Sequence, residues 1–403
     1  MKTALFCWEL GAGLGHLTPI KQLSKELIRR GYKVWLAARD LHNIHHIFHD
    51  IDINLIAAPV NRNNINKASQ NTLSYADLIY HIGYKDKESL SNHIKGWQGI
   101  FELVNPDLIF FDHSPTAIIA SQNYKAKKIL MGSPFSRPPE TENQESTGVF
   151  SFFDHAKTDK MPQAQSIEKE TLNNINYACE KNNLTQLHLI SNIFSPINFE
   201  IFNCLEEFDH FGPRNDQTNR YYLPTTSSAS EKKPEWPNTS GTKTEKKIFA
   251  YLKARPNIIT VINGLIASKT SAILYIAGRF ELKQQLPAHI QIIHQPVCMQ
   301  SILKECDLLI SNANLNTMQQ TALAGKPQLA LPIQLEQEIL LHRLQEQGVV
   351  ERFDTRSPQQ SQIQIQRLLE VDITGRTSLQ ERYEKHDNDI EIRNIFNEVL
   401  SSL

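Results

Sequence analysis

The chain of 403 residues is long enough for two domains, each with a sizeable core. Its 42 Lys and Arg nearly balance 43 Asp and Glu, a formal net charge of −1, so nothing in the charge argues for nucleic acid or another polyanion as partner. Cys7, Cys179, Cys204, Cys298 and Cys306 are odd in number and lack CxxC spacing, which predicts buried free thiols in a reducing compartment. No apolar run reaches membrane-spanning length, and the first ten residues lack the apolar region of a signal peptide. The expectation is a soluble, cytoplasmic protein.

Residues 3–8 (TALFCW) read as a first strand, followed by Gly11-Ala12-Gly13-Leu14-Gly15-His16. An amphipathic helix then carries Ile20, Leu23, Leu27 and Ile28 on one face, with Pro19 near its start and Gly31 at its end. Strands are predicted over 33–38 and 53–57. Residues 60–100 are polar with helical patches, and Tyr75, Tyr80, Tyr84 and Trp97 among them read as packing residues. A strand buried on both faces spans 108–111 and runs into Asp112-His113-Ser114-Pro115. A helix from Thr116 leads to a strand over 128–131, a loop over 132–165 that contains Phe150, Phe152 and Phe153, and a helix over 166–187. The stretch 213–245, with its prolines and Thr/Ser cluster, reads as a linker.

Beyond it the rhythm restarts. Strands are predicted over 248–252, 272–277 and 290–293, with a helix over 256–267 between the first two. The segment CDLLISNANLNTMQQTALAGKPQLALPIQLEQ (306–337) then gives a strand at 308–310, an amide-rich loop at 311–317 and a helix at 318–324 closed by Gly325. A strand at 329–331 and a segment starting at Glu336 follow, and residues 377–403 read as a charged terminal helix. Alternating strands and helices make the fold class α/β, a doubly wound parallel sheet in each half.

In such sheets ligands sit beyond the carboxyl ends of the strands, where helix N-termini present free N–H groups. Three places qualify. His16 follows the first strand and suits a general base; a surface or capping histidine is the alternative. Asp112 ends an apolar strand, where an unpaired carboxylate is costly; it could orient His16 or cap the next helix. The loop from Asn312 to Thr317 could hold an anion, or be a tight turn in which Thr317 caps the helix. Asp50-Ile51-Asp52 is the only DxD before a strand in the first half, and no His/Cys/Asp group has metal-ligand spacing. No metal and no cofactor are therefore expected.

With these residues in view, the chain resembles the GT-B glycosyltransferases, specifically the nucleotide-sugar transferases that include the glucuronosyl, glucosyl and macrolide enzymes. Gly15-His16-Leu17-Thr18-Pro19 matches that family's G-H-x-x-P, and the run from Pro106 to Asp112 matches its P-D-x-x-x-x-D. The donor signature W-x-P-Q, H-x-G-x-G-T-x-x-E, G-x-P and P-x-x-x-D-Q aligns with four segments. They are His294-Gln295-Pro296-Val297, the nine residues from Asn312 to Gln320, Gly325-Lys326-Pro327, and the six from Pro332 to Gln337. Asn312 stands where the family has its phosphate-contacting histidine, and Asn314 and Asn316 replace two loop glycines. Gln320 replaces the ribose-binding Glu, His294 the base-stacking Trp, and Glu336 the Asp of Asp-Gln. Asparagine tolerates a left-handed backbone, so the loop geometry is expected to survive.

The resemblance implies two Rossmann-like domains facing a central cleft. Residues 1–212 would be the acceptor domain, 213–245 the linker, 246–376 the donor domain, and 377–403 a helix crossing back to the first domain. It implies metal-independent, inverting transfer of a sugar from a UDP- or dTDP-type donor, the nucleotide sugar being a co-substrate, to a hydroxyl of a small-molecule or lipid-like acceptor. His16 would act as base with Asp112 orienting it, and Gly13 and Gly15 would form the acceptor loop. His294, Val297, Asn312, Asn314, Asn316, Thr317, Gln320, Glu336 and Gln337 would bind the donor. A GT-B-shaped epimerase and a pseudoenzyme that binds nucleotide without turnover are the alternative readings.

Overall fold

The computed structural model describes the chain except residues 12–13, 43, 62–71, 140–160, 215–218, 225–231, 238–244, 256, 283, 371–382, 384–386 and 402–403. It divides into two compact units, Met1–Thr225 with Asn388–Leu403, and Thr226–Asp387. Phe150, Phe152, Phe153 and Gly13 lie outside the described residues. No helix among the described residues is long and apolar enough to cross a membrane. The five cysteines are free, and all but Cys298 are buried.

The first unit is built on seven parallel strands: β1 (Thr3–Trp8), β2 (Lys33–Ala38), β3 (Asn54–Ala57), β4 (Leu108–Asp112), β5 (Lys127–Gly132), β6 (Phe199–Phe202) and β7 (Arg220–Tyr222). Their order is β3-β2-β1-β4-β5-β6-β7. Helices α1 (Leu14–Arg29), α2 (Ile44–Phe48), α3 (Tyr75–Ile79), α4 (Lys87–Val104), α5 (Pro115–Ala120) and α6 (Met161–Lys181) fill the connections. The inner strands β1 and β4 are apolar at nearly every position and almost wholly buried, as strands covered on both faces must be. Phe6 of β1 stacks on Phe110 of β4 with ring centroids 4.5 Å apart.

The second unit has six parallel strands: β8 (Lys247–Lys253), β9 (Ser271–Ala277), β10 (Ile290–Ile293), β11 (Leu308–Ser311), β12 (Gln328–Ala330) and β13 (Glu351–Arg352), in the order β10-β9-β8-β11-β12-β13. With them run α7 (Ile258–Ser268), α8 (Met299–Glu305), α9 (Leu315–Leu323), α10 (Leu335–Glu346) and α11 (Pro358–Glu370). The last helix, α12 (Asn388–Ser401), belongs to the first unit. There it buries Ile392, Ile395, Phe396 and Val399 in the core shared with α1, and Lys127 donates to the Val399 carbonyl at 2.9 Å. In both sheets the order reverses beside the first strand, between β1 and β4 and between β8 and β11. That reversal opens a crevice at the carboxyl edge.

Three local expectations change. Helix α1 begins at Leu14, so Pro19 lies inside it; the helix gains an extra turn ahead of the proline. Helix α9 begins at Leu315, so Asn316 and Thr317 belong to its first turn. Part of the stretch expected as linker is β7, a three-residue edge strand too short to carry a periodic signal.

β7 is secured by charge instead. Glu200 on β6 accepts from Arg137 Nε at 2.9 Å and from Arg220 Nε, its register partner's side chain, at 2.6 Å. All three side chains are at least nine-tenths buried. Removing the shared carboxylate strands two buried guanidinium groups. Glu200→Ala is expected to cost about 3–5 kcal/mol, read from the denaturant midpoint.

Candidate functional site

The carboxyl edge of the first sheet brings β1 and β4 together in register, with Trp8 opposite Asp112. Past Trp8 the chain turns through Gly11 and enters α1, whose first turn carries His16. The imidazole Nδ1 lies 3.0 and 2.9 Å from the two oxygens of Asp112. Asp112 is 2% exposed and His16 19%, so a buried carboxylate supports a partly open ring. The Trp8 indole stacks on that ring at 5.4 Å.

Two glycines make the space. A Cβ on Gly132 would lie 2.5 Å from Asp112 Oδ1, and one on Gly11 2.2 Å from His16 Nε2. Both glycines have positive φ, so a side chain there is disfavoured by the backbone as well. Gly15, the second residue of α1, has nothing around it among the described residues that a Cβ would meet.

Asp112 does not cap a helix. The N-cap of α5 is Ser114, whose hydroxyl instead donates to the Cys7 carbonyl at 2.7 Å and the Asp112 carbonyl at 3.0 Å. The capping role falls to Glu9, which sequence reasoning missed. Its carboxylate accepts from the Thr116 backbone N–H at 3.0 Å and from the Thr116 hydroxyl. The signal was there: Glu9, like Asp112, is a carboxylate at the end of an apolar strand. Burial raises the Glu9 pKa to about 7, against the lowering effect of the Thr116 bonds and the Arg39 charge.

His113 adopts a left-handed backbone with φ 43°, which breaks strand alternation directly after Asp112. Its ring packs between Tyr75 and Phe135, and its buried Nε2 has no hydrogen-bond partner among the described residues. Burial first, then the nearby His16 and Arg39, lower its pKa to about 3, so it is neutral. Of the two histidines, His16 is the one bonded to a carboxylate. With the carboxylate on Nδ1, the imidazole carries its proton there and its lone pair on Nε2, the arrangement of a general base.

The carboxyl edge of the second sheet is arranged differently from expectation. Asn312 is buried, its Oδ1 accepting from the Lys253 N–H at 2.7 Å and its Nδ2 donating to the Leu331 carbonyl at 2.7 Å. It ties β8, β11 and β12 together, with both ends of its amide engaged in the framework. The left-handed residue of the loop is Ala313, with φ 60°, and not an asparagine. Asn314 is the N-cap of α9, with φ −68°, and makes no side-chain cap. Its Oδ1 accepts instead from Gln337 Nε2 at 2.9 Å, while Gln337 Oε1 accepts from the Ile333 N–H at 2.9 Å. Asn316 lies in the helix and accepts from Gln319 Nε2 at 2.8 Å. Thr317, also in the helix, does not cap it.

The outcome is a helix start without a side-chain cap, the kind of end that can take an anion. Gln320 lies one turn further along α9, and Glu336 and the buried Gln337 open α10. His294 is exposed after β10, and Val297 packs beside Tyr251 and Tyr275. Asp50 is held by Lys21 at 2.6 Å and Lys25 at 2.8 Å, which push its pKa far down.

Comparison with known proteins adds the following. No protein-family model matches the chain. It is 22% identical over 352 residues to the NDP-glycosyltransferase YjiC of Bacillus licheniformis, covering 83% of this chain and 81% of that one. The glycotransferase of kitacinnamycin superposes with a TM-score of 0.73 at 13% identity over 99% of both chains. The glycosyltransferase VinC, solved in complex with dTDP, does so at 0.67 and 12% over the whole of both. At these identities the likeness is one of fold, and the fold is GT-B.

Glu9 yields a test of its own. Its folded pKa exceeds the ordinary value of 4.5, so the native state holds the proton more tightly than the unfolded chain. Its contribution is full below about 4.5 and is lost as pH rises through about 7. Glu9→Gln is expected to remove that fall, seen as a flatter stability curve than wild type between pH 4.5 and 7.

Proposed function

From the GT-B fold as premise, we propose that this protein transfers a sugar from a nucleoside diphosphate sugar to an acceptor hydroxyl, with inversion and without a metal ion. The observation that carries the reading is the bond from His16 Nδ1 to the Asp112 carboxylate at the switch point of the first sheet. His16 Nε2 removes the acceptor proton as the hydroxyl attacks the anomeric carbon. The Asp112 carboxylate stabilises the imidazolium that forms. The donor's diphosphate sits at the uncapped start of α9, where backbone N–H groups and the helix dipole offset the charge on the departing group. The name of the NDP-glycosyltransferase YjiC and the dTDP bound to VinC support a nucleoside diphosphate sugar as donor.

One observation favours a second reading, a binding protein without turnover. Asn312 replaces a phosphate-contacting histidine and its amide is engaged in the fold. Turnover with any donor and acceptor pair decides between the two.

For the base, His16→Ala is expected to lower kcat by about 10²–10⁴-fold while nucleotide affinity stays within twofold. Asp112→Asn should lower kcat by about 10²-fold or more, because the amide favours the wrong tautomer. A His16→Ala enzyme with wild-type kcat removes the histidine from the mechanism.

For the leaving group, activity is expected to persist in excess chelator, since α9 takes the place of a cation. A strict requirement for Mg²⁺ or Mn²⁺ overturns the assignment of the diphosphate to α9.

A further inference from the structure

The turn between β1 and α1 is tied down residue by residue. The Leu10 N–H donates to the His113 carbonyl at 3.0 Å, and the Trp8 indole N–H donates to the Leu10 carbonyl at 2.9 Å. The Gly11 carbonyl accepts from Arg39 Nη1. Arg39 is the first residue past β2. Its backbone N–H donates to the Trp8 carbonyl at 3.0 Å, so its side chain is rooted one step beyond the register pair of Trp8 and Ala38.

Gly11 is also the residue that closes on the base. A Cβ there would lie 2.2 Å from His16 Nε2 and 2.6 Å from Cε1, so the Gly11 backbone abuts the Nε2 edge of the ring. The imidazole is held on three sides, by Asp112 at Nδ1, Trp8 on one face and Gly11 at Nε2. Arg39 grips the third of these.

A clamp on a carbonyl needs no charge, since an amide or hydroxyl donates as well. Arg39 brings a charge at a desolvation cost. It is half-buried, and burial lowers its pKa against the opposing pull of Asp40 and Glu9. Its field reaches the histidines of this edge: after burial and His16, Arg39 lowers the His113 pKa. A cation kept there has a use at the base. The Asp112 carboxylate favours a proton on the imidazole, whereas a general base needs Nε2 unprotonated when the hydroxyl arrives. The charged and titratable groups around the ring are Asp112 and His113 from the end of β4, Glu9 from the turn and Arg39 from β2. His113 is neutral and the Glu9 carboxyl is bonded to Thr116, so the balance lies between Asp112 and Arg39.

We propose that Arg39 is a positioning residue for the base: it clamps the Gly11 turn against the imidazole and sets a cation on the Nε2 side, which keeps His16 neutral until the acceptor hydroxyl is bound. The inference rests on the reading of His16 as base, and Arg39 acts through that histidine.

The test is a pH titration of the His16 ring by NMR on the full chain with isotope-labelled histidine, the His16 signals being those missing in His16→Ala. It needs no acceptor. Wild type is expected to show, at neutral pH, the neutral ring with its proton on Nδ1. Arg39→Gln keeps a donor for the Gly11 carbonyl but removes the charge, and should raise the His16 titration midpoint by about 0.5–1 pH unit. Arg39→Lys keeps the charge and should titrate like wild type. The acid limb of the kcat profile should move with the midpoint, which loss of a structural clamp alone does not produce. An imidazolium in wild type at neutral pH overturns the inference even if both variants fail to fold. A midpoint unmoved in Arg39→Gln, or raised equally in Arg39→Gln and Arg39→Lys, also overturns it, and with an inactive His16→Ala enzyme the base reading still stands. If His16→Ala keeps wild-type kcat, the base reading itself fails and takes the inference with it.

Discussion

Insertion of a late strand beside the first one, β4 against β1 and β11 against β8, is the constraint on which everything else depends. Parallel strands need crossovers, and the reversal of winding direction leaves two loops diverging at one carboxyl edge. In the first unit those loops carry His16 and Asp112, 96 residues apart in the chain and within 2.9 Å in space. In the second they leave β8 after Lys253 and lead from β11 to the start of α9. Because β1, β4, β8 and β11 are buried along most of their length, their registers are well specified, and groups at their ends inherit that precision.

Polar groups at these edges cannot be left unsatisfied, and the ways they are satisfied set what remains for chemistry. Glu9 and Asp112 both end apolar strands. Glu9 is spent on Thr116 at the start of α5, which frees Asp112 from capping that helix and leaves it for His16. Asn312 and Gln337 are likewise spent, each bonding at both ends of its amide. Leaving the Leu331 carbonyl without the Asn312 amide would cost this buried backbone group about 1–3 kcal/mol. The amide therefore serves the framework, and the N-terminus of α9 stays open.

The contrast between the two histidines at the first edge is a matter of surroundings. His113 is enclosed by Tyr75 and Phe135 and held neutral far below its ordinary range. His16 has a carboxylate on one nitrogen and an aromatic wall on one face. Desolvation disfavours a proton on the first, whereas the second has a carboxylate to accept from its Nδ1.

Much of this is legible in the amino-acid sequence by itself. Apolar runs bounded by Gly, Pro and Asn mark the buried strands, because burial on both faces leaves no polar position to confuse the period. The cost of an unpaired carboxylate at the end of such a run marks Asp112, and the same argument extends to Glu9. Its place after the first strand, and the resemblance of Gly15-His16-Leu17-Thr18-Pro19 to a family motif, mark His16. What tertiary structure alone decides is how each side chain spends its hydrogen bonds. Three asparagines in one loop look interchangeable as left-handed residues, yet Ala313 takes that conformation while Asn312 bridges three strands and Asn314 binds Gln337. The start of α1, ahead of Pro19, and the strand at Arg220–Tyr222 carry no local signal either. Local propensity is a sum over near neighbours, whereas an amide's partner is set by whichever backbone group a distant strand leaves within about 3 Å of it.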